Sequence, residues 1–207
     1  YTDGTFGPSR SMTRAEAAAI FARLLAEKNG DTISTAANTR FTDIPAHAWY
    51  SGYAKYLNNN GVTYGKSKTI FAPNDAITRA EFTTLAVRFF DVYGDGDAEI
   101  MEQFSGFNDV SSGYWAAEYI KYAALHGWIN GYGDGSFHAE REINRAEVVT
   151  IVNRLLGREA DEDYIADNLR KLNTFPDVSR KHWAYYAVME AANAHTAVLG
   201  ESESWSK

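Results

Sequence analysis

The chain has 207 residues, 45% hydrophobic and 23% charged, a globular composition that excludes an intrinsically disordered polymer. Its formal net charge of -7 argues against non-specific nucleic-acid binding, which needs cations to displace counterions, and against attraction to anionic membranes. With no cysteine, disulfides, Cys-ligated zinc and thiol chemistry are excluded together, and no apolar run reaches the ~18 residues of a membrane span.

Read from the start, Tyr1-Thr2-Asp3-Gly4-Thr5-Phe6 carries the Asp-Gly signature of a tight turn with positive φ at the glycine. Met12-Thr13-Arg14-Ala15-Glu16 then opens a helix. Thr13 and Glu16 have capping-box spacing, and Ile20, Phe21, Leu24 and Leu25 recur at helical period. A polar linker over 29–40 leads to Phe41-Thr42-Asp43-Ile44 and a helix beginning near Trp49, with Trp49, Tyr53, Ala54 and Leu57 on one face. The loop Tyr64-Gly65-Lys66-Ser67-Lys68 and Phe71 follow. Ile77-Thr78-Arg79-Ala80-Glu81 opens the next helix, whose stripe is Leu85, Ala86, Phe89 and Phe90.

A linker over 91–106 begins with the acidic run 91–97, which lacks the one-three-five oxygen spacing of a calcium loop and reads as solvated. Phe107-Asn108-Asp109-Val110 precedes a helix near Trp115 with Tyr119, Ile120 and Ala123 on its face. Gly131-Tyr132-Gly133-Asp134-Gly135-Ser136-Phe137 forms the clearest turn. Ile143-Asn144-Arg145-Ala146-Glu147 opens a helix with Ile151, Val152, Leu155 and Leu156. After a linker over 158–174, Phe175-Pro176-Asp177-Val178 precedes a helix, from 175 to about 195, with Trp183, Ala187, Val188 and Ala191 on one face. The tail from Val198 to Trp205 matches none of the earlier segments.

Three signals therefore share one period. Arg14, Arg79 and Arg145 lie 65 and 66 residues apart, Trp49, Trp115 and Trp183 lie 66 and 68 apart, and Phe6, Phe71 and Phe137 each precede an arginine string. The bounds are 1–30 for the second half of a repeat, 41–91 and 107–157 for complete repeats, and 175–207 for a first half plus a divergent tail. A chain that opens in mid-repeat reads as part of a longer protein.

Thr13 with Glu16, Thr78 with Glu81 and Asn144 with Glu147 are assigned to helix capping. The arginine between each pair is harder to explain locally. It stands in a first helical turn, where the dipole disfavours a cation by ~0.3–1 kcal/mol. Its compensating partner is either an internal Asp or a bound carboxylate. Arg23, Arg88 and Arg154, which recur toward helix C-termini, are explained by the dipole and left out of the site. Asp43, Asp109 and Asp177 are expected to act as caps or turn stabilisers, and the three tryptophans to pack in a shared core. Tyr132, in an exposed glycine loop, is the better candidate for stacking on a sugar. The five histidines form no metal-spaced pair and no nucleophile elbow or phosphate loop appears, so no enzyme, metal or cofactor is expected.

Phe-x-Asp-Val, a nearby Trp, Gly-Tyr-x-Asp-Gly-x-Phe and Ile-Thr-Arg-Ala-Glu together resemble the S-layer homology (SLH) repeat, over nearly the whole chain. The resemblance implies an all-α fold of tandem helix-loop-helix repeats packed as a pseudo-threefold bundle. It also implies an extracellular place on the bacterial cell wall or S-layer, and non-catalytic anchoring to secondary cell-wall polysaccharide, often pyruvylated. By match of motif it implies Arg14, Arg79 and Arg145 as glycan-binding residues, and Tyr132, Gly4, Gly135, Trp49 and Trp115 join them as candidates for contact with the sugar. Arg14 and Arg145 rank above Arg79, because their own loops keep the Asp-Gly turn that Tyr64–Lys68 lacks. Partners are the polysaccharide and, as the alternative reading, other S-layer subunits in a self-assembling lattice; neither nucleic acid nor membrane insertion is expected.

Overall fold

The computed structural model describes residues 1–93, 104–198 and 204–206. Helices run over Arg14–Asn29 (α1), Ser51–Asn59 (α2), Arg79–Tyr93 (α3), Ala117–Leu125 (α4), Arg145–Leu155 (α5), Glu162–Asn168 (α6) and Tyr185–Ala192 (α7). A 3-10 turn at Leu169–Lys171 follows α6, and the strands Thr196–Val198 (β1) and Ser204–Ser206 (β2) pair antiparallel with Ala197 opposite Trp205. Among the described residues the fold is all-α apart from this short strand pair.

The three longest helices start where local chemistry dictates. The Thr13 and Asn144 side chains accept the amides of Glu16 and Glu147, whose carboxylates accept the cap-residue amides in return. At α3 the same exchange joins Thr78 and Glu81, at 3.1 and 3.2 Å. Each box satisfies two of the donors that a helix start leaves unpaired. Helix α1 ends at Gly30, whose left-handed backbone (φ 69°) suits the residue without a Cβ.

The chain divides into two compact units, Ser11–Ile143 and Tyr1–Arg10 with Asn144–Lys207. In the first, α1 packs on α2 and α3, and α3 packs on α4. Phe21 meets Phe82 and Phe89 at 5.3 and 5.0 Å between ring centroids, and all three are fully buried. Burying such rings contributes on the order of 2 kcal/mol each. The residues preceding the helix caps form a ring of backbone hydrogen bonds. Ile77 donates to Met12, Met12 to Ile143, and Ile143 to Ile77, at 2.9, 3.1 and 3.0 Å. Three sequence copies thus meet edge to edge at a buried threefold hub.

In the second unit α5 packs on α7. Its core gathers Ala146, Ile165, Val178, Tyr185, Val188, Met189 and Trp205, with Phe6 and Phe175 at its margin. The opening loop and the closing Phe-Pro-Asp-Val segment, far apart in sequence, therefore share one body.

Several expectations change. The linker over 158–174 contains α6, capped by the Asp161 carboxylate on the Tyr164 amide (2.8 Å) and held down by fully buried Ile165. The last helix is shorter than 175–195 and its buried face is Ala184, Tyr185, Val188 and Met189, while Ala191 is exposed. Trp49, Trp115 and Trp183 do not pack in the core; they are 56%, 55% and 64% exposed. Each stands two residues before its helix, in the preceding turn, so the helical spacing that placed it on the apolar face does not apply. Of the acidic run 91–97, residues 91–93 belong to α3 and the rest lies outside the described residues, as do 199–203 of the tail.

Candidate functional site

The site is built from loops held by aspartate clamps. Asp43 accepts the amides of Phe71 and Ala72 at 2.9 and 2.6 Å. Asp109 accepts those of Phe137 and His138, both at 2.7 Å, and Asp177 those of Phe6 and Gly7 at 2.9 and 2.7 Å. The second residue of each pair has positive φ, 58° at Ala72, 55° at His138 and 72° at Gly7. Two successive amides then converge on one anion, and the carboxylate holds a backbone shape that Ala and His adopt only under constraint. Burial works to raise the Asp109 and Asp177 pKa values, but the two amide bonds to each outweigh it and hold both below the ordinary carboxylate range. These aspartates are turn stabilisers of a loop 28 residues on in two copies, not caps: α2, α4 and α7 have no side-chain cap. Ring pairs complete each clamp: Phe41 on Phe71, Phe107 on Phe137 and Phe175 on Phe6, at 5.3, 5.2 and 5.4 Å.

Each motif arginine lands on one of these loops. Nε of Arg14 donates to the Phe71 carbonyl (2.7 Å), Arg79 to Phe137 (2.8 Å) and Arg145 to Phe6 (2.9 Å). Each guanidinium also lies over that phenylalanine ring, at 5.3, 4.5 and 4.7 Å. Arg14 and Arg79 thus meet the loop after their own helix, not the one before it. This corrects the premise of the ranking. Arg14 shares its site with the divergent Tyr64–Lys68 loop, and Arg79 receives the intact Gly131–Phe137 turn.

The loops share a backbone. Lys66 donates to the Ile70 carbonyl as Tyr132 does to Ser136, both at 2.8 Å, and the Tyr1 nitrogen donates to Thr5 at 2.7 Å. Gly4 and Gly135, at φ 79° and 80°, close turns onto the Tyr1 and Tyr132 carbonyls. These turns present a tyrosine under the arginine: Arg79 lies 5.2 Å from the Tyr132 ring and Arg145 5.0 Å from Tyr1. At Arg14 the equivalent position is Lys66, ion-paired to Asp75 at 2.9 Å.

The first-turn cation of α1 is compensated inside the protein. Arg14 Nη1 meets Glu81 Oε1 at 3.0 Å, with both side chains largely buried, while Glu81 Oε2 holds the Thr78 amide. The partner is thus the glutamate of the following string, rather than the Asp that local reasoning offered. Arg79 adds a bond to the Asn130 carbonyl at 3.2 Å.

Around Arg14 opens a cleft of about 460 Å³. Its walls are Thr63–Lys66, the α3 face carrying Thr78, Glu81, Thr84, Leu85 and Arg88, and the side chains of Trp115 and Glu140. Arg14 and Trp115 are brought together here. Tyr132, Gly135 and Arg79 gather at a second station, and Gly4 and Arg145 at a third. Trp49 joins no described cleft and rests against Tyr50 and Tyr53, at 5.4 and 6.3 Å. Arg88, set aside as a dipole partner, lines the cleft. Its periodic match with Arg23 was the available signal, since each donates through Nε and Nη2 to a tyrosine hydroxyl of the neighbouring helix. Among the described residues no cluster of three potential metal ligands occurs, and no helix is long and apolar enough to cross a membrane.

Comparison with known proteins gives a consistent picture. The model of the S-layer homology domain matches residues 1–18, 40–83 and 106–149. Cell surface glycoprotein 1 of Acetivibrio thermocellus is 34% identical over 211 residues, covering 98% of this chain and 9% of that protein. The cellulosome-anchoring protein of the same organism is 31% identical over 204 residues, 98% of this chain and 43% of its own length. The surface-layer 125 kDa protein of Lysinibacillus sphaericus is 32% identical over 158 residues, 74% of this chain and 12% of that protein. The chain spans less than half the length of each of these relatives.

Proposed function

The chain belongs to the S-layer homology domain family, whose place is the extracellular bacterial cell surface, and on that premise we propose that it is a non-catalytic module anchoring a larger protein to an acidic, pyruvylated secondary polysaccharide of the wall. The observation that carries the reading is the cleft at Arg14. Three cations and an exposed tryptophan line one depression in a chain whose net charge is -7. An anionic sugar finds there both a local positive field and an aromatic face. The stations at Arg79 and Arg145 offer arginine and tyrosine together, and several modest sites on one chain give durable attachment by avidity.

The self-assembly reading draws support from the Arg14–Glu81 pair, which shows that a motif arginine can be satisfied without a ligand. The two separate in a sedimentation experiment with Gram-positive walls, native or stripped of secondary polysaccharide. Under the anchoring reading the protein pellets only with native walls, and Trp115→Ala, which changes an exposed side chain, weakens pelleting while leaving the fold intact. Equal pelleting with both walls, or assembly without any wall, would favour the lattice.

A further inference from the structure

We infer that Tyr114 and Glu140 are positioning residues: their hydrogen bond is a strut that fixes the Trp115 ring in the wall of the Arg14 cleft before any ligand arrives. This rests on the anchoring reading and concerns how that site is held in readiness. Trp115 lines the cleft, yet 55% of it is exposed. An indole so exposed has little packing to choose its rotamer. Ordering it at the moment of binding would weaken a sugar by about twofold to tenfold. A partner that orders it in advance recovers that factor.

Both ends of the strut stand on fixed backbone. The Tyr114 amide donates to the Ser111 carbonyl and its carbonyl accepts the Ala117 amide at the start of α4, both at 3.0 Å. Glu140 sits in the turn that Arg141 closes on His138 at 3.0 Å. The Ala139 and Arg141 carbonyls of that turn accept the Ala80 and Arg79 amides, at 3.0 and 2.8 Å. The Asp109 clamp already ties these two segments, so the Tyr114 hydroxyl meets Glu140 Oε1 across a gap of set width. Burial, and after it the Glu140 carboxylate, hold the hydroxyl well above the usual phenol range. The Trp115 indole N–H at the same oxygen acts in the opposite sense without overturning them. The hydroxyl thus stays a donor to a charged acceptor and an acceptor for the indole, a short polar chain whose bonds reinforce one another. The two rings lie 5.7 Å apart at 47°. The device belongs to one copy: Ala48 and His182 stand where Tyr114 does, and Asn74 and Ser9 where Glu140 does. Trp49, with alanine before it, leans back on Tyr50 and Tyr53, and His182 turns its Nδ1 to the Ala184 amide at 3.1 Å.

The test has two readouts on the whole chain. Nitrogen-15 relaxation of the Trp115 indole in the free protein reports whether the ring is held. Titration with a disaccharide bearing a pyruvate ketal, followed at the Gly65 amide in the same cleft, reports binding even where Trp115 is replaced. Tyr114→Phe keeps the ring and loses the hydroxyl. It should melt with the wild type, set the indole moving, and weaken the disaccharide about twofold to tenfold. Glu140→Ala should do the same, while Glu140→Gln, which keeps an acceptor, should retain most of the order and affinity. In a Trp115→Ala background, Tyr114→Phe should weaken binding no further. Glu140 is an exposed position, and its two variants carry the test if Tyr114→Phe melts early. An indole equally ordered in wild type, Tyr114→Phe and Glu140→Ala overturns the inference while anchoring stands. So does a Tyr114→Phe loss that persists without Trp115, or a Glu140→Ala that binds as tightly as wild type. If the wild type binds neither the disaccharide nor native walls, the anchoring reading falls and takes the inference with it.

Discussion

The loop that receives Arg14 and the loop that receives Arg79 share everything beneath their surface. In both an aspartate grips two amides, one phenylalanine packs on another, and the arginine donates to the second phenylalanine's carbonyl. Above that foundation they diverge: the loop position beside the arginine is Lys66, paired with Asp75, in one and Tyr132 in the other. The Tyr64–Lys68 sequence looked like a degraded Gly-Tyr-x-Asp-Gly turn, yet its backbone bond at Lys66 matches that at Tyr132. What differs is the chemistry offered outward, so the comparison separates residues that build a station from residues that set its preference.

Substitutions in the foundation should therefore be costly. Arg14→Met leaves Glu81 largely buried without its counter-ion, and should lower unfolding free energy by about 3 kcal/mol in chemical denaturation. A loss under about 1 kcal/mol would mean that the pair does not hold the loop. Next come the glycines beneath the phenylalanine rings. A Cβ on Gly65 would lie 2.5 Å from both the Phe41 ring and the Ile70 carbonyl, at a φ of +77° that disfavours any side chain. Gly65→Ala should cost about 2–3 kcal/mol. Gly131, whose Cβ would lie 2.4 Å from the Phe107 ring, has no positive φ to add, and Gly131→Ala should cost about 2 kcal/mol. Equal melting temperatures for the two variants would remove backbone strain from the account of the Gly65 loop.

The clamp itself comes third. Asp109→Ala leaves the Phe137 and His138 amides without their acceptor and should cost about 2 kcal/mol near neutral pH. Because the folded-state pKa of Asp109 is depressed, the clamp's contribution is complete above the ordinary carboxylate value of about 4 and is lost as pH falls through the lower folded value. Wild type and variant should converge in stability below that point. A gap that stays constant down to strongly acidic pH would show that the carboxylate charge contributes nothing.

How much of this was legible follows from the range of each interaction. The capping boxes span three residues, so Thr13, Thr78 and Asn144 announced their helices directly. The period of 65 to 68 residues exposed the repeats for the same reason: copies need no geometry to be seen. The arginine stations were only half readable, because the Arg14–Phe71 bond crosses 57 residues and nothing local tells which loop an arginine will meet. The tryptophans misled because an apolar ring near a helix start resembles a core residue, whereas theirs stands in the turn before the helix. Helix α6 was missed because seven polar-rich residues have little intrinsic helicity, and burial of Ile165 makes up the difference.

The smallest expected effect is the one that tests the comparison most directly. Lys66→Tyr would give the Arg14 station the ring that Arg79 and Arg145 already have. It removes an exposed ion pair, worth up to about 1 kcal/mol, and offers buried Arg14 an aromatic face, a gain of about the same size that offsets the loss. The net change in stability should be within about 0.5 kcal/mol. If foundation and face are independent, this variant melts with the wild type while losing the cleft's charge. A drop of 2 kcal/mol or more would mean that Lys66 belongs to the foundation after all. Lysine at this position would then be structural, and the divergence of the two loops would say nothing about what each one binds.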